Sequence, residues 1–476
     1  MSAGNQMSRK DFIKVAASTV AAAAAEGRCD LACADPPTKK PGKTTHLVST
    51  IDVKDFGAET LRIGDLNGDG APDLLFVQSI FATREITCLT ATTISGAVLW
   101  QVGKPSAANG RIYSDLPVQI YDWDNDGANE VLYVRQAKYA EPILSPTGGG
   151  GAVRERAKRY EGDATMIVLD AKTGKEKTTI AIPAAADDSF LFADLTGRGR
   201  RQDFVVKDRY WNLWGVSFEG KQLWHWQGST GHFPAVADID GDGKDEVFVG
   251  FALLDHNGKL LFNNYKDNPD LQAPIHADST FMVKLPDGTW RLAFGNHGAH
   301  LGLPNGRELW HKPLPHTQHV VVGKFQGTSP VQFMFLDRGL LNPTPKVPAT
   351  LYLYDLEGKE LWRRVQPEGS WAAGLRELDW SGAGVPGEVL VYARGPGQSP
   401  AIYNGAGNIV DTFEMQYTPD RTAEDRQTDY YGGRADLWGD SRHEVILFGS
   451  RGACIYANAR PLQLPTQYNN TLYQGV

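Results

Sequence analysis

The chain has 476 residues, 41% of them hydrophobic, which is enough to build a large core, and its 51 glycines and 27 prolines imply many turns. A formal net charge of −8 leaves no broad basic surface, so nucleic acid is excluded as a non-specific partner; an acidic polysaccharide would need local cationic groups or a metal. Beyond the first residues no apolar run approaches the roughly 18 to 20 residues of a membrane span, and a monomer is expected.

At the start of the chain, Arg9 and Lys10 precede Phe12, Ile13 and Lys14, and the small apolar run Val15 to Ala25 follows. This is the order of an export signal. Ser8 to Lys14 resembles a twin-arginine signal with Lys in place of the second Arg. Residues 1–34 are therefore expected to be a signal, cut after Ala32-Cys33-Ala34, which implies a secreted or periplasmic protein. A linker over 35–45 leads to one unit over 46–476.

That unit is built from a repeat. An acidic turn followed by a strand reads DLNGDGAPDLLFV from Asp65, DWDNDGANEVLYV from Asp122, DLTGRGRRQDFVV from Asp194 and DIDGDGKDEVFVG from Asp238. Eroded copies begin at Lys284, Lys324, Asp379 and Asp436, so there are eight, spaced 40 to 72 residues apart. A second signature follows most copies, a turn running into an aromatic, as in Gly96 to Trp100, Gly220 to Trp224, Gly306 to Trp310 and Gly358 to Trp362. Short alternating strands between Gly and Asp turns, about four per unit, predict an all-β chain: an eight-bladed β-propeller of four-stranded antiparallel blades. His46 to Val53 is expected to supply an outer strand to the last blade and so close the ring. Cys88 and Cys454 fall in the first and last repeats, either as a ring-closing disulfide or as two isolated buried thiols.

Oxygen ligands at positions 1, 3, 5 and 9 of a tight turn suit a hard cation such as Ca²⁺. Three loops carry a complete set: Asp65, Asn67, Asp69 and Asp73; Asp122, Asp124, Asp126 and Glu130; Asp238, Asp240, Asp242 and Glu246. These are candidate structural calcium sites, the alternative being that the carboxylates only cap their turns. The Asp194 copy has Arg198 at a ligand position, and the Lys284 and Lys324 copies lack the first carboxylate, so no ion is expected there.

Chemistry is expected where the innermost strands converge, because several blades meet one ligand there. Six residues before each loop stand Glu59, Leu116, Asp188, His232, Asp278, Gln318, Ala373 and Tyr430, a mostly polar column. Two positions further back add His276 and His316, and His319 follows Gln318. Nine of the eleven histidines lie between His225 and His319, in adjacent blades. Imidazoles with Asp and Gln suit a metal or an anionic sugar. His225, His256, His311 and His443 read as ordinary surface residues, while His297 and His300 either rim the site or cap a turn.

Several stretches resemble the rhamnogalacturonan lyases of polysaccharide lyase family 11, which are eight-bladed propellers. They are Val118 to Asp122 with its loop, Gly231-His232 leading into Val236 to Glu246, the His276-Ala277-Asp278 step, and Ala435 to Ile446; the family has His-Gly-Asp where this chain has Ala277. The resemblance implies β-elimination on an acidic polysaccharide of rhamnose and uronic acid. Its chemistry needs the uronate carboxylate neutralised, a base for the C5 proton, and an acid for the leaving oxygen. A Ca²⁺ or another divalent metal on His232, His276 and Asp278, or a Ca²⁺ on nearby acidic residues, answers the first need. His319, His316 and Tyr430 are candidate bases, and Glu59, Asp188, Gln318 and Arg434 candidate substrate contacts, with Lys324 and Arg376 as further cations. A non-catalytic glycan-binding propeller, or a glycoside hydrolase drawing its carboxylates from Glu59, Asp188 and Asp278, are the alternatives.

Overall fold

The computed structural model describes residues 44–81, 83–111, 115–136, 164–188, 190–208, 211–264, 277–296, 298–327, 329–339, 347–367, 371–394, 399–414, 431–450 and 452–460. The expected signal over 1–34 lies outside them. Among the described residues thirty-two strands form eight four-stranded antiparallel sheets, so the chain is the expected eight-bladed propeller. Blades 1 to 7 span 60–103, 118–182, 191–227, 235–263, 279–312, 317–365 and 371–412. Within each of them the four strands pair in chain order. Among the described residues no helix is long and apolar enough to cross a membrane.

Blade 8 is composite. Its inner three strands are Tyr431–Ala435, Glu444–Gly449 and Gly452–Asn458, and its outer strand is β1, Thr45–Ile51, from the other end of the ring. β1 runs antiparallel to Gly452–Asn458, from Thr45 opposite Asn458 to Ile51 opposite Ala453. The expected closure by His46 to Val53 is therefore present.

The hydrophobic pattern follows each strand's place. Second strands such as Asp73–Ser79 and Glu444–Gly449 are buried along their whole length, because neighbouring blades cover both faces, and they read as continuous apolar runs. Outer strands such as Val98–Gly103 and Glu360–Val365 keep solvent-facing positions. The core is a ring of layers, with one buried apolar cluster at each junction between blades.

The recurring turn-plus-aromatic signature is the clasp between blades. The indole N–H of Trp100 donates to Ala171 O of blade 2 at 2.6 Å, Trp224 to His256 O of blade 4 at 2.8 Å, Trp310 to Leu356 O of blade 6 at 3.1 Å, and Trp362 to Gly405 O of blade 7 at 2.9 Å. On each ring sits a hairpin glycine of the next blade: Gly174, Gly258, Gly358 and Gly407. Ile180 with Gly220, Phe262 with Gly306, and Ile51 with Gly96 repeat the contact at three more junctions without the indole bond. All seven glycines have positive φ, and the neighbour's ring or isoleucine methyl lies where a side chain would have to go. Cys88 and Cys454 are both buried and are not joined in a disulfide, the second of the two alternatives.

Gly258 has φ +76°, and a Cβ there would lie 2.6 Å from the Trp224 indole. Gly258→Ala is accordingly expected to cost about 1–3 kcal/mol of unfolding free energy in urea titration. An unchanged midpoint and slope would show that the clasp does not limit stability.

Candidate functional site

Polar residues at the starts of the inner strands meet at one mouth of the ring. In blade 3, Ala186 and Asp188 take left-handed backbone angles, φ +55° and +60°, and the turn is held by the Asp187 N–H donating to Lys207 O and the Asp188 N–H donating to Asp187 Oδ1. Asp188 is thereby turned towards blade 4. In blade 4 the chain passes so close to blade 5 that a Cβ on Gly231 would lie 2.3 Å from Ala277 O, and the next N–H, that of His232, donates to the same oxygen at 3.0 Å. Gly231 therefore places His232 against Asp278.

The result is a chain of charges drawn from five blades. His232 Nδ1 lies 2.8 Å from Asp188 Oδ2, and its Nε2 lies 3.3 Å from Asp278 Oδ1. His316 Nε2, from blade 6, lies 3.0 Å from Asp278 Oδ2, which also accepts the Asn296 amide N–H at 2.9 Å. At the other end, Lys207 Nζ is 3.4 Å from Asp188 Oδ2, and Arg84 pairs with both Asp187 and Asp188. Burial opposes charge on His232, but Asp188 and Asp278 on either side hold its pKa above the ordinary value. The His316 N–H donates to Asp337 Oδ1 at 3.1 Å, and burial raises the pKa of that carboxyl.

Of the residues singled out in the sequence, Asp188, His232, Asp278 and His316 are thus brought together. Gln318 and His319 sit half-buried on the inner strand of blade 6, where Gln318 accepts from Arg338 at 2.5 Å. Glu59 is buried beside Gly110, to whose carbonyl its N–H donates. Arg434 lies near the loop end of its strand and is engaged by Glu377 of blade 7 through the carboxylate and the main-chain carbonyl. Lys324 is exposed on its loop, and Arg376 lies over the Tyr392 ring. His276, Tyr430 and His297 lie outside the described residues. His300 is buried in blade 5 with its ring stacked on Phe294.

Arg84, Asp187, Lys207, Asn296 and Asp337 were not anticipated. Lys207 had a signal, as a cation ending the apolar strand Asp203–Lys207, where it is 1% exposed. Arg84 had none: it comes from a hairpin of blade 1, with φ +63°, and meets residues more than 100 positions later.

The acidic loops form a second set of candidate sites, and they also cap their own turns. Asp65 accepts the N–H groups of Asn67, Gly68 and Gly70; Asp238 accepts those of Gly241 and Gly243. The ninth-position carboxylate closes each turn: Asp73 accepts from Leu66, Glu130 from Trp123, Glu246 from Ile239 and Glu444 from Leu437. Metal-compatible groupings occur at Asp122, Asp124 and Glu130, at Asp238, Asp240 and Glu246, and at Asp242, Glu246 and His256. Asp122 Oδ1 and Glu246 Oε1 are buried without a hydrogen-bond partner. Burial, with Asp240 and Asp242 nearby, pushes the Glu246 pKa up to about 7. Blade 2 differs, because Lys177 lies among its carboxylates.

Glu444 has the same raised pKa, about 7 against 4.5, from burial and the charges of Asp440 and Asp436. An acid whose folded pKa lies above its unfolded one stabilises fully below the unfolded value, and that stability is lost as pH rises towards 7. Glu444→Gln, measured in chelator, is expected to flatten stability between pH 4.5 and 7 by up to about 3 kcal/mol. Blade 6 shows that an amide fits, since Gln332 accepts from Gln326 N and donates to Gln326 O at this position. An unaltered pH profile in the variant would exclude Glu444 as the titrating group.

No family model matches the chain. It is 24% identical over 251 residues to rhamnogalacturonan endolyase YesW of Bacillus subtilis, covering 44% of this chain and 40% of that protein. It is 23% identical over 307 residues to rhamnogalacturonan exolyase YesX of the same organism, covering 51% and 48%. The aligned region is thus under half the length of either relative. The crystal structure of YesX superposes with a TM-score of 0.58 at 18% identity, over 88% of this chain and 76% of that one. The biofilm matrix protein Bap1 of V. cholerae superposes with a TM-score of 0.57 at 15% identity, over 88% and 91%, so the same fold also occurs in a protein described by a matrix role. In sequence and in its eight-bladed fold, the chain resembles the rhamnogalacturonan lyases of polysaccharide lyase family 11.

Proposed function

We propose that the chain is a secreted or periplasmic polysaccharide lyase that cleaves a rhamnose- and uronate-containing acidic polysaccharide by β-elimination at the mouth lined by His232, Asp278 and His316. The observation that carries this reading is the convergence of two imidazoles on one carboxylate from three successive blades. Asp188 holds His232 by Nδ1 and turns Nε2 towards Asp278, the carboxylate–histidine arrangement that orients metal-binding imidazoles. The donor set would hold a divalent cation on His232, His276 and Asp278, with imidazoles that suit a transition metal and a carboxylate that also suits Ca²⁺, and it leaves His316 outside the ligand set. When bound, such an ion supplies positive charge against the uronate carboxylate and so acidifies the neighbouring C5 proton.

The chain's own groups supply the rest. Asn296 and the main chain of blade 5 fix Asp278, so the two imidazoles address a carboxylate that does not swing. His316 is anchored by its own N–H to Asp337 and has a partly exposed ring, which makes it, with His319, the candidate to accept the C5 proton. Arg84 and Lys207 hold Asp188 in place, so their charge supports the geometry of His232 rather than the substrate. In the acidic loops, structural Ca²⁺ is proposed at Asp65, Asn67, Asp69 and Asp73 and at Asp238, Asp240, Asp242 and Glu246. The orphaned Glu246 Oε1 in a ring of carboxylates supports the latter.

A second reading, a non-catalytic glycan-binding propeller, is favoured by the burial of Asp188 and Asp278, both 2% exposed and both paired with cationic or imidazole groups. A hydrolase fits less well, since Glu59, the third carboxylate it would draw on, is equally buried.

The purified chain is expected to raise ultraviolet absorbance from unsaturated uronate ends on rhamnogalacturonan I or a related polymer, and to lose that activity in chelator. His316→Ala and Asp278→Asn should each lower kcat/KM at least about 100-fold while the fold persists by circular dichroism. Binding without new chain ends across a panel of acidic glycans would replace the lyase reading with the second one.

A further inference from the structure

The acidic loop of blade 2 contains its own cation. Lys177 Nζ lies 2.8 Å from Asp124 Oδ2, 2.8 Å from Glu130 Oε1 and 3.2 Å from Asp126 Oδ2. An ammonium has three donors, and here three carboxylates at the third, fifth and ninth loop positions take them. Asp122, at the first position, pairs with Arg200 of the neighbouring loop at 3.2 Å. All four carboxylates that would bind a metal therefore already face positive side chains of this chain.

The position of Lys177 shows that this is a specific exchange. The outer hairpin of each of blades 1 to 7 has an irregularity that skips one residue of the outer strand, between Val98 and Trp100 in blade 1 and between Glu176 and Thr178 in blade 2. The skipped residues are Leu99, Leu223, Leu261, Leu309, Leu361 and Val410 in the other six blades, and Lys177 in blade 2. A bulge of this kind re-aims one side chain. Six blades place an aliphatic group there, and the one lysine stands over a complete set of loop carboxylates.

Two other loops also replace an outside cation with internal donors. In blade 6, the Gln332 amide donates to Gln326 O at 3.0 Å and to Ser329 O at 3.3 Å. In blade 8, Arg442 holds Asp440. The blade 4 loop shows the contrast at the ninth position, where Glu246 Oε1 has no partner while Glu130 Oε1 of blade 2 meets Lys177; the first-position oxygen Asp122 Oδ1 of blade 2 has no hydrogen-bond partner either.

We propose that Lys177 is the resident cation of the blade 2 loop, so that Asp122, Asp124, Asp126 and Glu130 hold no metal and blade 2 folds independently of Ca²⁺. This goes beyond the lyase reading and does not rest on it.

The test is the number of Ca²⁺ ions bound per full-length chain, by calorimetric titration after chelator treatment. In the unaltered protein, the pair Asp124→Asn and Asp126→Asn should leave that number unchanged. Lys177→Met should raise it by one, and the added ion should vanish when the two Asn substitutions are combined with it. Lys177→Arg should keep the original number. If Lys177→Met is unfolded in chelator, recovery of the fold on adding Ca²⁺, at a concentration that leaves the unaltered protein's stability in blade 2 untouched, gives the same answer. Loss of one ion from the Asn pair in the unaltered protein overturns the proposal. So does a Lys177→Met protein that neither gains an ion nor depends on Ca²⁺ to fold.

Discussion

The structure depends on the contact between the outer strand of one blade and the hairpin glycine of the next. A four-stranded sheet cannot bury both faces by itself, so each blade is stable only against its neighbours. Apolar packing between sheets is non-directional and tolerates sliding. The indole N–H of Trp100, Trp224, Trp310 and Trp362 reaching a single carbonyl, with a glycine flat on the ring, does not. The clasp therefore sets how far each blade is rotated from the one before it. Seven junctions use it in some form, and the remaining one, between blades 7 and 8, has no hairpin to offer because the ring closes in blade 8. There Asp411 takes the aromatic's place and gathers Thr44, Trp380 and Arg460. A polar clasp thus ties both ends of the ring at the point where the chain is discontinuous.

The candidate active site inherits its precision from these junctions. No blade contains a complete set of groups: His232, Asp278 and His316 are one residue each from three blades, and their distances are distances between blades. Gly231 couples the two scales, since its lack of a side chain lets blade 4 approach Ala277 and the adjoining N–H then fixes His232. A substitution that widens a junction by even a fraction of an ångström would act on the site without touching it. Arg84 adds a longer tie, from a hairpin of blade 1 to the Asp187-Asp188 turn of blade 3.

The repeat was legible because each unit is local: an acidic turn, a buried strand and a glycine hairpin recur within 40 to 72 residues. The polar column was legible for the same reason, by counting back from the loop, and it located Asp188, His232 and Asp278. Which residues pair within it was not, because pairing is decided between blades, where sequence separation carries no information. His316 illustrates this. Its position two residues ahead of the column gave no sign that its Nε2 meets the carboxylate of Asp278 in the neighbouring blade. Arg434, named only as a cation for substrate charge, is engaged by Glu377 of the adjacent blade, a pairing that spacing did not show. The tryptophans were noticed as punctuation, and their function as clasps required the partner carbonyls.

The acidic loops show why a motif of ligand residues is a weaker statement than it looks. The loops that keep their carboxylates face the same electrostatic problem, several charges held by a turn that uses some of their oxygens as caps and leaves the others facing one another. A divalent ion is one solution. Protonation is another, which the raised pKa values of Glu246 and Glu444 favour near neutral pH. An amide in place of the last carboxylate is a third, at Gln332, and a tethered ammonium from the outer strand a fourth, at Lys177. The backbone turn is retained through all four, because capping needs only an acceptor at the first or ninth position. What the loop motif fixes is the turn; what fills its charge depends on the residue opposite, which lies on a different strand about 50 positions away in blade 2.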